Sequence, residues 1–314
     1  MSAPSPVRLG RFEVESPEWL ELRRRGIGGS DVAAVMGLSP WLSPFTLWHI
    51  KAGTVEAPKR DSEPVYWGKV LEGLVVARWR QEHPDKHAGH WQGCTWADPA
   101  EPWRHANPDW IATDGHGHRE IVEIKTTRFG DEWGPSGGDI VPPYYLTQLL
   151  WYCDIMGANI GWLAVLIGGS DYREYRFEVS EHADEIATIR AMTRAFWESL
   201  QAGDAPDIDA SNSTYQVLRE MHPDIDGSSI EIEPAMATDA VTAITMAASA
   251  ERALRLSKSL LLDVMGPAKT ATVAGKTIAV RQATKRGDAW GKPFIKFDKH
   301  AADHLAAAHT EGQQ

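Results

Sequence analysis

The chain has 314 residues, 43% of them hydrophobic, a formal net charge of −11 and two cysteines. That composition excludes a disordered chain and supplies one substantial core plus an appendage. No apolar run approaches the ~20 residues of a membrane span, MSAPSPVRLGRF lacks a signal-peptide core, and Cys94 and Cys153 make no disulfide framework, so a cytoplasmic protein with reduced thiols is expected.

In chain order, Ser16-Pro17-Glu18 opens a short helix to Arg25, a second helix starts near Ser30, a third follows Ser43-Pro44, and a longer one covers residues 66–83. Serine supplies the cap and proline the first helical turn that such starts favour. Strands are predicted over 89–97, 105–113 and 119–127, followed by a helix over 143–156 opened by Pro142-Pro143. A hairpin over 160–168 and 172–179, turned by Gly168-Gly169-Ser170-Asp171, precedes a helix from Ser180 to about residue 202. The fold class is α/β, a mixed sheet flanked by helices, in a domain spanning 1–203.

Residues 204–233 read as an acidic linker. An appendage over 234–314 follows, with an Ala-rich helix over 234–265, a strand pair turned at 273–277 and a frayed tail beyond about residue 300. Charge is partitioned between these parts. Nine acids and one arginine lie in 204–239, whereas 269–299 carries eight Lys/Arg against two Asp, a net +6. A negative whole-chain charge therefore does not exclude nucleic acid, and Lys285 and Arg286 are candidate phosphate contacts.

The segment NPDWIATDGHGHREIVEIKTT carries the chemistry. Val122-Glu123-Ile124-Lys125 alternates, so a strand sends Glu123 and Lys125 to one face and Val122 and Ile124 into the core. The turn at 114–117 folds Asp109 back to the same edge. Two carboxylates, an ammonium and a backbone carbonyl, that of Ile124, then surround one place, a set suited to magnesium, with manganese as a substitute. Such a site cleaves phosphodiesters, with Lys125 orienting the attacking water, or helping to deprotonate it if its surroundings favour the neutral amine.

Four stretches together, WLELRRRGIGGSDVAAVMGLSPWLSPFTLW, GKVLEGLVVARW, the NPD and EIKTT pair, and PPYYLTQLLWYCDIMGA, resemble the YqaJ-like viral recombinases. These are relatives of lambda exonuclease in the PD-(D/E)xK nuclease superfamily, and the resemblance runs over roughly residues 15–200. It implies a restriction-endonuclease-like sheet, with Asp109, Glu123 and Lys125 as the catalytic core. Glu72 is implied as a helix acid that helps hold the metal, and Gln148 as an amide beside the site. Trp19, Arg23 and Ser30 match the residues that engage the 5′ end of the cut strand. Arg23, Arg24 and Arg25 stand in a row, so Arg25 is also a candidate, although the spacing favours Arg23.

The resemblance further implies a 5′→3′ exonuclease on double-stranded DNA ends that leaves 3′ single strands for phage recombination by an annealing protein. A homo-oligomer, with a ring among the forms open, is implied as well. The competing classes are an endonuclease of the same superfamily and a DNA-binding module without activity, against which the intact acids and lysine argue.

Overall fold

A computed structural model of the chain describes residues 5–13, 15–58, 62–90, 94–286 and 289–311. It divides into two compact units, Met1–Asp224 and Ile225–Gln314. Among the described residues no helix is long and apolar enough to cross a membrane.

The first unit begins with β1 (Val7–Arg11), α1 (Pro17–Arg24), α2 (Gly29–Val35), α3 (Pro44–Ala52) and α4 (Glu63–Glu82). Ser16 and Ser43 cap α1 and α3 as expected, accepting from the amides of Trp19 and Thr46. Next come β2 (His87–His90), β3 (Cys94–Ala97), β4 (His105–Ala106), β5 (Trp110–Thr113) and β6 (Arg119–Thr127). After α5 (Pro143–Met156) the chain forms β7 (Ile160–Ile167) and β8 (Asp171–Glu178), then α6 (Ala183–Ala202) and α7 (Asn212–Met221). Gly157 ends α5 in the left-handed region, φ 60°, where a side chain is disfavoured.

The main sheet has the order β2-β5-β6-β7-β8, with β6 and β7 parallel and the other pairs antiparallel. Both its faces are covered. Ile121, Leu163 and Val165 pack with Leu149 and Leu150 of α5 on one side, while Val122, Ile124 and Ala164 pack with Val75, Val76 and Trp79 of α4 on the other. The expected alternation along β6 is present, but the face bearing Glu123 is buried too. Glu123 is only 2% exposed.

Two predicted strands are each divided. The 89–97 stretch supplies β2 to the main sheet and β3 to a separate sheet of order β1-β3-β4. The 105–113 stretch breaks between β4 and β5, because Pro108 has no amide hydrogen for a ladder and holds the residue before it extended. That corner places Asp109 at the mouth of β5. A short 3-10 turn, Val179–His182, precedes α6, so Ser180 does not cap the helix directly. The acidic stretch after residue 203 is not wholly linker. Ser211 caps α7, and the Ser43 amide and hydroxyl bond Ser213 and Thr214, fastening α7 to the start of α3.

In the second unit, α8 (Pro234–Met265) packs through Leu261, Leu262 and Met265 against a sheet of β9 (Thr270–Val273), β10 (Lys276–Gln282) and a later strand, Phe294–Phe297. Between β10 and that strand, β11 (Lys285–Arg286) pairs with β12 (Ala289–Trp290), which makes Phe294–Phe297 β13. The expected tail is a helix, α9 (Ala301–Glu311), whose His304 ring nitrogen Nδ1 lies 2.8 Å from the Thr277 carbonyl.

Candidate active site

The hairpin β5-β6 turns at Asp114, whose carbonyl accepts from the Gly117 amide, with Gly117 at φ 82°. Trp110 pairs with Val122, so Asp109 falls beside Glu123. The Ile124 amide donates to Asp109 Oδ2 at 2.9 Å, fixing that carboxylate against β6. Lys125 Nζ donates to Glu123 Oε1 at 2.7 Å and to Gln148 Oε1 at 3.2 Å. Gln148, from α5, donates through Nε2 to the same Glu123 oxygen at 2.7 Å and to the Tyr152 hydroxyl at 3.2 Å. Lys125 also lies 4.7 Å from the centre of the Tyr145 ring. Asp109, Glu123, Lys125 and Gln148 thus form one interlocked group, drawn from the bend before β5, from β6 and from α5.

The electrostatics follow from burial. Loss of water around Glu123, then repulsion from Asp109, push its carboxyl well above the usual range despite Lys125, and Glu72 on α4 adds to the push. Burial works against the Lys125 ammonium, yet Glu123 and Asp109 outweigh it and raise its pKa. The surroundings therefore favour the ammonium form of Lys125, which suits orienting the attacking water rather than deprotonating it.

These residues fit a divalent cation on one observation in particular. Glu123 Oε2 is buried and has no hydrogen-bond partner. A buried carboxylate oxygen left so is costly, and a cation beside it would satisfy the oxygen and relieve its repulsion from Asp109. Among the described residues no three His, Cys, Asp or Glu side chains converge into a ready cage. A hydrated magnesium held by two carboxylates needs none.

A second group forms around α1, α2 and α3. Arg23 Nη2 donates to Ser30 Oγ at 3.1 Å and to Asp31 Oδ1 at 2.5 Å, and its guanidinium lies 4.9 Å from the centre of the Trp19 ring. Trp19, Arg23 and Ser30 are brought together, whereas Arg25 turns away and donates to Glu21 at 2.8 Å. The Gly28 amide donates to Asp31 Oδ2, and α2 has only seven residues. The two groups meet at Tyr152. A Cβ on Gly29 would lie 2.3 Å from that ring, so glycine lets α2 rest directly on the tyrosine that Gln148 bonds. Burial, then the Glu123 charge, keep the Tyr152 phenol protonated.

Tyr152, Asp31, Lys51 and His105 were not among the expected site residues. Tyr152 had a signal, since four residues after Gln148 is the same helix face. Lys51 and His105 had none. His105 is buried beside Lys51, and burial first, then that charge, lower its pKa to about 4. The unfolded chain takes up a proton near pH 6.5 that the folded chain refuses, so this stability is complete above about pH 6.5 and declines toward pH 4. Unfolding free energies measured from pH 7 to pH 4.5 should therefore fall less in His105→Gln than in the unaltered protein, the difference approaching roughly 2 kcal/mol. Parallel declines would show that His105 does not titrate in this way.

Lys285 belongs to the second unit, where its Nζ lies 5.9 Å from the Trp290 ring centre. The Arg286 side chain lies outside the described residues.

A mixed sheet flanked by helices, with two carboxylates and a lysine at the β5-β6 edge, is the restriction-endonuclease-like layout expected for the first unit. Residues 18–159 match the YqaJ-like viral recombinase domain. Over 233 residues the chain is 30% identical to the uncharacterized protein YqaJ of Bacillus subtilis (strain 168), covering 72% of this chain and 70% of that one. The chain belongs to the YqaJ-like viral recombinase family. Among solved structures, an alkaline exonuclease from Laribacter hongkongensis aligns at 18% identity and TM-score 0.47, over 66% of this chain and 99% of that one. The same enzyme in complex with dAMP aligns at 19% identity and TM-score 0.45, over 66% and 98%.

Proposed function

We propose that this protein is a metal-dependent exonuclease that digests double-stranded DNA from its 5′ ends and leaves 3′ single strands. The observation that carries the reading is the unpartnered, buried Glu123 Oε2 beside Asp109, on a carboxylate whose other oxygen is already bonded to Lys125 and Gln148. Asp109, Glu123 and the Ile124 carbonyl would hold magnesium or manganese, with Glu72 on α4 adding negative charge to the site. When bound, the ion supplies Lewis acidity for a phosphoryl oxygen and for water.

The chain's own residues do the rest. Lys125, a cation held by Glu123 and Gln148, orients the attacking water and stabilises negative charge on the phosphoryl oxygens. Gln148 donates both its amide hydrogens within the group and accepts from Lys125, which fixes the lysine's position. Arg23 and Ser30 hold the 5′-terminal phosphate. Tyr152, touching both groups, sets the distance between the held end and the bond that is cut.

Membership of a viral recombinase family supports a role in recombination, in which the 3′ strand passes to an annealing protein. We place the enzyme in the cytoplasm of a bacterial host, working as a homo-oligomer. Lys285 and Arg286 are proposed to contact DNA phosphates. Incubating the protein with linear and covalently closed duplexes, with and without magnesium, tests the activity. Linear DNA should shorten from its 5′ ends only with the metal, and closed circles should stay intact. Cutting of closed circles would make the protein an endonuclease, and binding without cleavage of either would make it a DNA-binding module.

A further inference from the structure

Arg23 does not stand alone on its surface. Asp31 and Lys51, 2% and 3% exposed at their side chains, lie beneath it, while Arg23 is 28% exposed. Asp31 Oδ1 accepts from Arg23, and Oδ2 accepts from Lys51 at 2.7 Å and from the Gly28 amide at 3.0 Å. Lys51 Nζ also donates to the carbonyls of Arg23 at 2.5 Å and Gly26 at 2.7 Å, so these three bonds use all its hydrogens. The bonds to Ser30 and Asp31 both come from Arg23 Nη2, which leaves Nε and Nη1 outside this network.

The charge count explains the arrangement. Arg23 and Asp31 alone would sum to zero, and a neutral pair has little attraction for an anion. The buried Lys51 restores a net charge of +1, and that charge is carried by the exposed member, whose remaining Nε and Nη1 hydrogens can donate to phosphate oxygens. His105 also faces the cluster, but its low pKa keeps it neutral near pH 7 and outside the count.

We propose that Lys51 is a positioning residue that sets the charge of the end-binding cluster: by neutralising the buried Asp31 carboxylate it leaves Arg23 a full positive charge for a terminal phosphate. This rests on Arg23 being the ligand of the 5′-phosphate. Lys51 itself touches no DNA. It acts through Asp31, and through the Arg23 carbonyl that it grips from below.

Lys51→Gln is the informative change, because the amide can still donate to the carbonyls while the charge is lost. Equilibrium affinities of the full chain for duplexes with 5′-phosphate or 5′-hydroxyl ends, measured by anisotropy without divalent metal at several salt concentrations, give the readout. Wild type should prefer the phosphorylated ends, and Lys51→Gln should lose about tenfold of that preference, the worth of one charged hydrogen bond. The double variant Asp31→Asn/Lys51→Gln returns the cluster to +1 and should recover the preference, a rescue that a merely structural role for Lys51 would not produce. If Lys51→Gln fails to fold, the double variant carries the test, and loss of preference in a folded double variant overturns the proposal. Preference kept in folded Lys51→Gln overturns it while leaving Arg23 in place. No preference in wild type removes the Arg23 assignment and this one together.

Discussion

Glu123→Gln is expected to lower DNA cleavage by on the order of a thousandfold or more, because a ligand worth several kcal/mol to the transition state is lost. The same change should not lower the thermal midpoint of the metal-free protein. Its side chain replaces a buried carboxylate whose Oε2 has no partner and whose charge is opposed by Asp109. Asp109→Ala and Lys125→Ala should likewise abolish cleavage while leaving DNA affinity largely intact, since they serve the transition state more than ground-state binding. Calcium should support binding without efficient cutting, because its larger and looser shell positions water poorly. Single-turnover rates beside melting curves provide the check. Normal turnover by folded Glu123→Gln would remove Glu123 from the site, and calcium matching magnesium would contradict the metal assignment.

The second large effect concerns the DNA end. Wild-type enzyme should digest 5′-phosphorylated duplexes faster than dephosphorylated ones by about tenfold, the worth of a charged hydrogen bond. In Arg23→Ala the two rates should converge at a slower value, with shorter tracts per encounter. Arg24→Ala and Arg25→Ala should keep the preference. The geometry separates Arg23 from Arg25: Arg23 is bonded to Ser30 and Asp31, whereas Arg25 is paired with Glu21 along its own helix. Release of label from 5′- and 3′-labelled linear duplexes reports rate, direction and tract length together. Loss of preference in Arg25→Ala but not in Arg23→Ala would move the role two residues along the chain.

The sequence by itself determined whatever depends on neighbours along the chain. The alternation through Val122, Glu123, Ile124 and Lys125, the turn at 114–117 and the Pro142-Pro143 helix start were all legible, and with them the meeting of Asp109, Glu123 and Lys125, while Gln148 was marked through the family resemblance. Trp19, Arg23 and Ser30 were marked by the family resemblance, and a short helix with its following loop brings them together.

Only the tertiary structure decided what covers each face. Alternation places Glu123 opposite Val122, yet the packing of α5 over one side of the sheet and α4 over the other makes both sides interior and raises the Glu123 pKa. The splitting of 89–97 between two sheets depends on distant strands, β5 for one half and β1 with β4 for the other. Helix α7 was hidden in acidic sequence because Ser43, far away in the chain, supplies its anchoring bonds. Lys51 lies 20 residues from Asp31 and 28 from Arg23, and no local pattern marks it. A lysine becomes a buried counter-charge only when the fold closes around it, because the cost of burying an ion is offset by partners that the unfolded chain does not hold near.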